Sequence, residues 1–66
     1  MNIILNGQPG TIPAGMTVTA ALDSWGYQDH FVAVAINRTC VPRSDFDQRK
    51  ILEGDDIEIL APMAGG

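Results

Sequence analysis

The sequence predicts an α+β fold in which one short helix crosses a mixed sheet of four to five strands. Three observations lead to this prediction. Short apolar segments flank turn residues near the start, an amphipathic helical segment follows, and strand-like apolar runs return in the second half. A chain of 66 residues is long enough for one domain. We expect this domain to span residues 1–60, with residues 61–66 forming a flexible C-terminal tail.

The N-terminal segment is typical of a β-hairpin. Residues 1–6 are rich in β-branched and apolar side chains, as expected of a strand. Asn6-Gly7 is a strong hairpin signal. Residues 8–10 add further turn chemistry, so we expect a loop longer than two residues, with the second strand beginning near residue 11.

The best helical signal follows a possible N-cap at Thr17, whose hydroxyl can accept a bond from a free first-turn N–H. Gly26 stands where a left-handed C-terminal cap is expected. The apolar residues between them have the spacing of one helical face: Val18, Ala21, Leu22 and Trp25. We therefore expect a helix of about two turns that packs onto a sheet, because it is too short to persist alone.

The second half of the chain predicts three more strands. Residues 31–37 form a near-continuous apolar run, which favours a central strand covered on both faces. A turn precedes a brief strand at Cys40-Val41, and residues 43–50 are expected to form a loop with one helical turn. A turn over residues 53–56 leads into the last strand, residues 57–60. The order β-β-α-β-β-β, with the last strand in the middle of the sheet, is a β-grasp architecture.

Composition excludes several classes of function. The net charge is −4 with only four basic residues, which does not favour nucleic-acid binding. No apolar run approaches the roughly 20 residues of a membrane span. The single cysteine, Cys40, excludes an internal disulfide and a four-cysteine metal site. These features indicate a protein of the reducing cytoplasm.

Side chains in the body of the chain offer little chemistry. Cys40 has no neighbouring base in the sequence and is expected to be a buried or edge-strand residue. His30 stands alone in a polar connection and is expected at the surface. The acidic residues near the last turn lack the spacing of a calcium loop and are expected in a solvated turn: Glu53, Asp55, Asp56 and Glu58. We therefore expect no catalytic residue and no metal site.

The terminal carboxylate of Gly66 is the one group left in a position suited to chemistry. Residues 61–66 carry no titratable side chain, and the two final glycines are thin enough to enter a narrow tunnel. Six extended residues span about 20 Å at roughly 3.3–3.6 Å each. A carboxylate is a poor electrophile, so it would first have to be activated, for instance as an acyl-adenylate. The alternative is that the two C-terminal glycines occur there by chance and have no function.

Several segments together resemble the thiamine-pathway sulfur carrier family, ThiS, of the ubiquitin-like β-grasp superfamily. The similarity covers the whole chain and ends at the terminal Gly65-Gly66. The segments that carry it are Gly15-Met16-Thr17-Val18, Val32-Ala33-Val34-Ala35-Ile36-Asn37, Val41-Pro42-Arg43 and Leu52-Glu53-Gly54-Asp55-Asp56-Ile57-Glu58-Ile59. Two positions depart from the family: Ala21 replaces a frequent leucine and Cys40 replaces an aliphatic residue.

The resemblance implies a protein cosubstrate with no active site or bound cofactor of its own. A ThiF-like enzyme would use ATP to adenylate Gly66, and sulfur from a cysteine desulfurase or equivalent donor would convert it to a thiocarboxylate. Thiazole synthase would receive the sulfur. Partners would recognise the tail through Met63, Ala64 and Gly65. Three alternatives stay open: a molybdopterin-synthase small subunit, a ubiquitin-like modifier, and a binding module that uses a sheet face around Ile4 and Leu60.

Overall fold

The computed structural model describes residues 1–27 and 32–61. These residues form a five-stranded mixed sheet in the order β2-β1-β5-β3-β4, with one α-helix. The elements are β1 (Asn2–Leu5), β2 (Gln8–Thr11), α1 (Val18–Ser24), β3 (Ala33–Ile36), β4 (Thr39–Val41), a 3₁₀ turn (Arg43–Asp45) and β5 (Asp56–Leu60). The predicted α+β class and element order are confirmed, and so is the central position of the last strand.

The first hairpin is tighter than the sequence predicts. Asn6 and Gly7 form a two-residue turn with φ angles of 50° and 81°, the positive values that a type I′ turn needs. Strand β2 begins directly after it, so the expected longer loop and the later second strand are wrong. Pro9 is tolerated within β2 because this strand lies at the edge of the sheet, where a missing N–H breaks no inner ladder.

The predicted caps of α1 are confirmed. The hydroxyl of Thr17 accepts a hydrogen bond from the Ala20 N–H at 3.1 Å. At the other end Gly26 has a φ of 82°, and its N–H donates to the Asp23 carbonyl. The Tyr27 N–H donates to the Leu22 carbonyl at 2.9 Å, which completes a Schellman motif. Both ends of this short helix are therefore fixed by local residues.

The hydrophobic core lies between α1 and one face of the sheet. Trp25 is half-buried at its margin. Twelve buried side chains form the core: Ile3, Ile12, Val18, Ala21, Leu22, Val32, Val34, Ile36, Phe46, Ile51, Ile57 and Ile59. The expectation that β3 is covered on both faces is wrong. Ala33 is exposed and Ala35 is only half-buried, because the helix covers a single face of the sheet.

The acidic turn before β5 differs from the expected solvated turn. Asp55 is only 6% exposed. Its carboxylate accepts hydrogen bonds from the Leu52 N–H at 2.8 Å and from Asn37 Nδ2 at 3.1 Å. Glu53 accepts a bond from the Asn2 N–H at 2.9 Å. The prediction of a solvated turn is therefore wrong for Asp55, since this carboxylate bonds to the backbone and to the β3–β4 turn.

Two other predictions have different outcomes. Cys40 lies exposed on the edge strand β4, so the edge-strand alternative is the observed one. His30 and residues 62–66 lie outside the described residues, so their expected positions stay predictions. Among residues 1–27 and 32–61, no helix has the length and hydrophobicity needed to cross a membrane.

Candidate functional site at the base of the C-terminal tail

The candidate site is the point where the tail leaves the sheet. Strand β5 runs parallel to β1, with Leu5 paired to Ile57, and antiparallel to β3, with Ala33 paired to Leu60. The tail therefore starts from the middle of the sheet rather than from an edge. We call the last two residues of the described chain, Leu60 and Ala61, the tail exit.

Asn6 binds the strand just before the tail exit. Its backbone N–H donates to the Ile57 carbonyl at 2.8 Å. Its side-chain Oδ1 accepts a hydrogen bond from the Ile59 N–H, also at 2.8 Å. The backbone pairing of β1 with β5 ends at Leu5, where β1 enters the turn. Beyond that point, the side-chain oxygen of Asn6 serves as the acceptor for the Ile59 N–H.

Asn37 makes a similar arrangement at the opposite end of β5. It also has a positive φ, 52°, at the first position of a two-residue turn. Its Oδ1 accepts a hydrogen bond from the Asp56 N–H at 3.0 Å, and its Nδ2 donates to Asp55. Both ends of β5 are thus held by an asparagine from a neighbouring hairpin turn.

Among residues 1–27 and 32–61, no helix covers the face of the sheet that lies beside the tail exit and opposite α1. Leu60 is 71% exposed and Ile4 is 41% exposed. The register places Glu58, Ala35 and Cys40 in one row across the same face. We call this surface the open face. It is partly apolar, it carries the carboxylates of Asp56 and Glu58, and it is continuous with the tail exit.

The structure brings only part of the predicted site together. The predicted tail residues lie beyond the described chain: Met63, Ala64, Gly65 and Gly66. Within residues 1–27 and 32–61, no group of three or more His, Cys, Asp or Glu side chains could hold a metal ion. Sequence reasoning identified Asn6 as a turn residue but missed its bond to Ile59, because a turn signal contains no information about a distant strand.

A comparison with protein families decides which family this chain represents. The model of the ThiS family matches residues 3–66. The chain belongs to the ThiS family. The resemblance stated above is therefore confirmed over nearly the whole sequence.

Individual ThiS relatives agree in length and in fold. The sulfur carrier protein ThiS of Escherichia coli is 35% identical over 66 residues, which cover both chains fully. The crystal structure of the thiamine biosynthesis protein ThiS from Geobacter metallireducens superposes with a TM-score of 0.83 at 33% identity, again over the full length of both chains. This structure confirms the ubiquitin-like β-grasp fold.

A longer relative is also similar to this ThiS-family chain. The thiazole synthase of Paramagnetospirillum magneticum is 38% identical over all 66 residues of the chain. The match spans only 20% of that protein, so the chain corresponds to about a fifth of its length. The segment similar to this chain therefore belongs to a larger polypeptide in that organism.

Proposed function

We infer that this chain is a sulfur carrier protein of thiamine biosynthesis, and we propose that the carboxylate of Gly66 carries the sulfur. The full-length similarity to the ThiS of Escherichia coli is the observation on which this rests. The structure adds support, since β5, the last strand before the tail, lies in the middle of the sheet and ends at Leu60. The family match favours the thiamine pathway over a molybdopterin-synthase small subunit or a ubiquitin-like modifier.

The proposed chemistry requires the Gly66 carboxylate to be activated. A ThiF-like enzyme joins it to AMP, with release of pyrophosphate from ATP, because the free carboxylate is a poor electrophile. A persulfide supplied through a cysteine desulfurase or an equivalent donor then displaces AMP and forms an acyl disulfide, and a second thiol of the donor cleaves the S–S bond and is itself oxidised to a disulfide. The product is a terminal thiocarboxylate, which passes its sulfur to thiazole synthase. The body of the carrier supplies recognition, and the partner enzymes supply the catalytic groups.

The length and composition of the tail are suited to this proposal. Residues 61–66 can extend about 20 Å beyond the sheet at roughly 3.3–3.6 Å per residue. Gly65 and Gly66 have no Cβ, so a narrow channel can admit them. We propose that Met63, Ala64 and Gly65 are the tail residues that partners recognise, while the body docks outside the channel.

Two observations support thiazole synthase as a partner. The Paramagnetospirillum thiazole synthase contains a segment similar to this chain within one polypeptide. In our structure the open face exposes apolar side chains at Ile4 and Leu60, which a partner can cover. We propose that the open face contacts the partner while the tail enters its active site.

Intact-protein mass spectrometry tests the proposal. The chain is purified after co-expression with its cognate adenylating enzyme and sulfur donor, beside a variant that lacks Gly66. We expect a mass increase that matches replacement of one oxygen by sulfur, located on Gly66 and absent from the shortened variant. An unmodified mass with active partner enzymes would reject a sulfur carrier, and conjugates to lysines of other proteins would indicate a modifier.

A further inference from the structure

The two asparagines that hold β5 differ in one respect that bears on function. Asn37 binds the strand at its start, through the Asp56 N–H. Asn6 binds it at its end, through the Ile59 N–H, one residue before Leu60. The same type of bond therefore acts far from the tail in one case and directly beside it in the other.

The hydrogen bond to Asn6 holds β5 on its β1 side up to Ile59, close to the tail. On the β1 side, the backbone register ends with Leu5 opposite Ile57. Beyond this pair, the Ile59 N–H finds its acceptor in the side chain of Asn6. On the β3 side, pairing continues to Leu60 opposite Ala33. Without the Asn6 oxygen, the last residues of β5 would be held from one side only.

We propose that Asn6 is a positioning residue for the carrier reaction, which fixes the point and direction in which the tail leaves the sheet. This inference rests on the proposed function of Gly66. When the body is docked on a partner, a fixed tail exit presents Gly66 at a defined distance from the docked surface. Such positioning contributes to the rate of a reaction because the reacting groups must meet in a narrow range of geometry.

This role predicts that kcat and KM of the adenylating enzyme respond differently when the concentration of the carrier is varied. Loss of the Asn6 oxygen removes none of the exposed apolar side chains of the open face, so we expect KM for the carrier to stay near the wild-type value. The turnover number kcat falls, because Gly66 reaches the active site less often in the correct geometry. If residues 59 and 60 also separate from β3, the chain beyond the sheet lengthens from six residues to eight, and this alone gives a fall of about 1.5-fold, by the −3/2 power of length.

The test compares Asn6→Gly with Asn37→Gly. Glycine adopts the positive φ of both turns without strain, so each substitution removes a side-chain acceptor of β5 and keeps the turn. Asn37→Gly also removes the Nδ2 donor to Asp55, so it is the more disruptive change and a stringent control. Pyrophosphate release is measured while the carrier is titrated, and kcat and KM are determined separately. We expect a lower kcat for Asn6→Gly, with unchanged KM, and wild-type constants for Asn37→Gly.

Two further measurements separate positioning from a structural effect. Asn6→Asp retains an oxygen that can accept from the Ile59 N–H, and we expect it to restore kcat. Hydrogen exchange of the Ile59 amide should accelerate in Asn6→Gly but not in Asn37→Gly or Asn6→Asp. Equal kcat values for the two glycine variants and the wild type would overturn the proposal, as would a failure of Asn6→Asp to restore the rate.

A variant that leaves Asn6 untouched keeps the proposal testable if Asn6→Gly does not fold. One glycine inserted between Ala61 and Pro62 alters the distance from the tail exit to Gly66 in an intact body. We expect a lower kcat with unchanged KM, and an unchanged kcat would show that the exit point does not matter. If the wild-type chain is not adenylated at all, the proposed function fails, and the exchange of the Ile59 amide still reports whether Asn6 orders the exit.

Discussion

The carboxylate of Asp55 shows how one residue can join two turns of this small sheet. It accepts bonds from the Leu52 N–H, within its own turn, and from Asn37, in the β3–β4 turn. Asn37 in turn accepts from the Asp56 N–H. Removing the carboxylate of Asp55 breaks both of these part-buried hydrogen bonds and leaves the two donors without this partner.

We therefore predict that Asp55→Ala lowers the free energy of unfolding by about 1–3 kcal/mol, the usual range for a buried polar group that loses its partner. The neighbouring substitution Asp56→Ala is the matched control, since it removes the same charge but no side-chain hydrogen bond described above. It should stay within about 0.5 kcal/mol of the wild type. Urea denaturation measures both, and equal losses would assign the effect to charge alone.

At the scale of the element, α1 stabilises the fold through one apolar face. Leu22 is 1% exposed and lies in the middle of that face, whereas Leu60 is 71% exposed on β5. We predict that Leu22→Ala lowers the free energy of unfolding by about 2–5 kcal/mol, through lost burial and the cavity left behind. Leu60→Ala removes the same atoms from the surface and serves as the control.

Leu60→Ala should change the free energy of unfolding by less than about 0.5 kcal/mol, as is usual for exposed positions. Chemical denaturation of both variants gives the comparison. A loss below about 0.5 kcal/mol for Leu22→Ala would show that the core collapses around the smaller side chain or does not depend on it.

The elements also show what sequence could predict. The sequence predicts helix α1 with both caps, because Thr17, the apolar spacing and Gly26 are all local signals. The sequence pattern predicts a start of β2 that is too late, because Pro9 is acceptable only at a sheet edge, and the edge is set by the order of the strands.

For the candidate site too, sequence predicts the features that depend on neighbouring residues and misses the contacts between distant residues. The importance of the Gly66 carboxylate was predicted from the terminal residues themselves, and it stays a prediction. The hydrogen bond from Ile59 to Asn6 joins residues 53 positions apart. The bond from Asn37 to Asp55 spans 18 positions. Turn chemistry identified Asn6 as a turn residue, but the partners of Asn6 and Asn37 on and beside β5 depend on the assembled sheet.

At the scale of the whole molecule, the body and the proposed chemistry are separable. The helix, the core and the asparagine bonds lie within residues 1–27 and 32–61. The proposed reactive group is the α-carboxylate of Gly66, outside these residues. A change at the terminus should therefore remove carrier activity without loss of stability. This separation is the main physical consequence of the proposed function.

We predict that one alanine added after Gly66 abolishes sulfur uptake at that residue and thiazole formation, because Gly66 then has no free carboxylate. A chain with Gly66 converted to its C-terminal amide, made by semisynthesis, is the control for size, since it blocks the same carboxylate with almost no added volume. Both variants should unfold within about 0.5 kcal/mol of the wild type. Mass spectrometry measures sulfur uptake at Gly66, and a thiazole-formation assay measures sulfur transfer. Normal sulfur transfer by either variant would mean that the Gly66 carboxylate is not the group that carries sulfur.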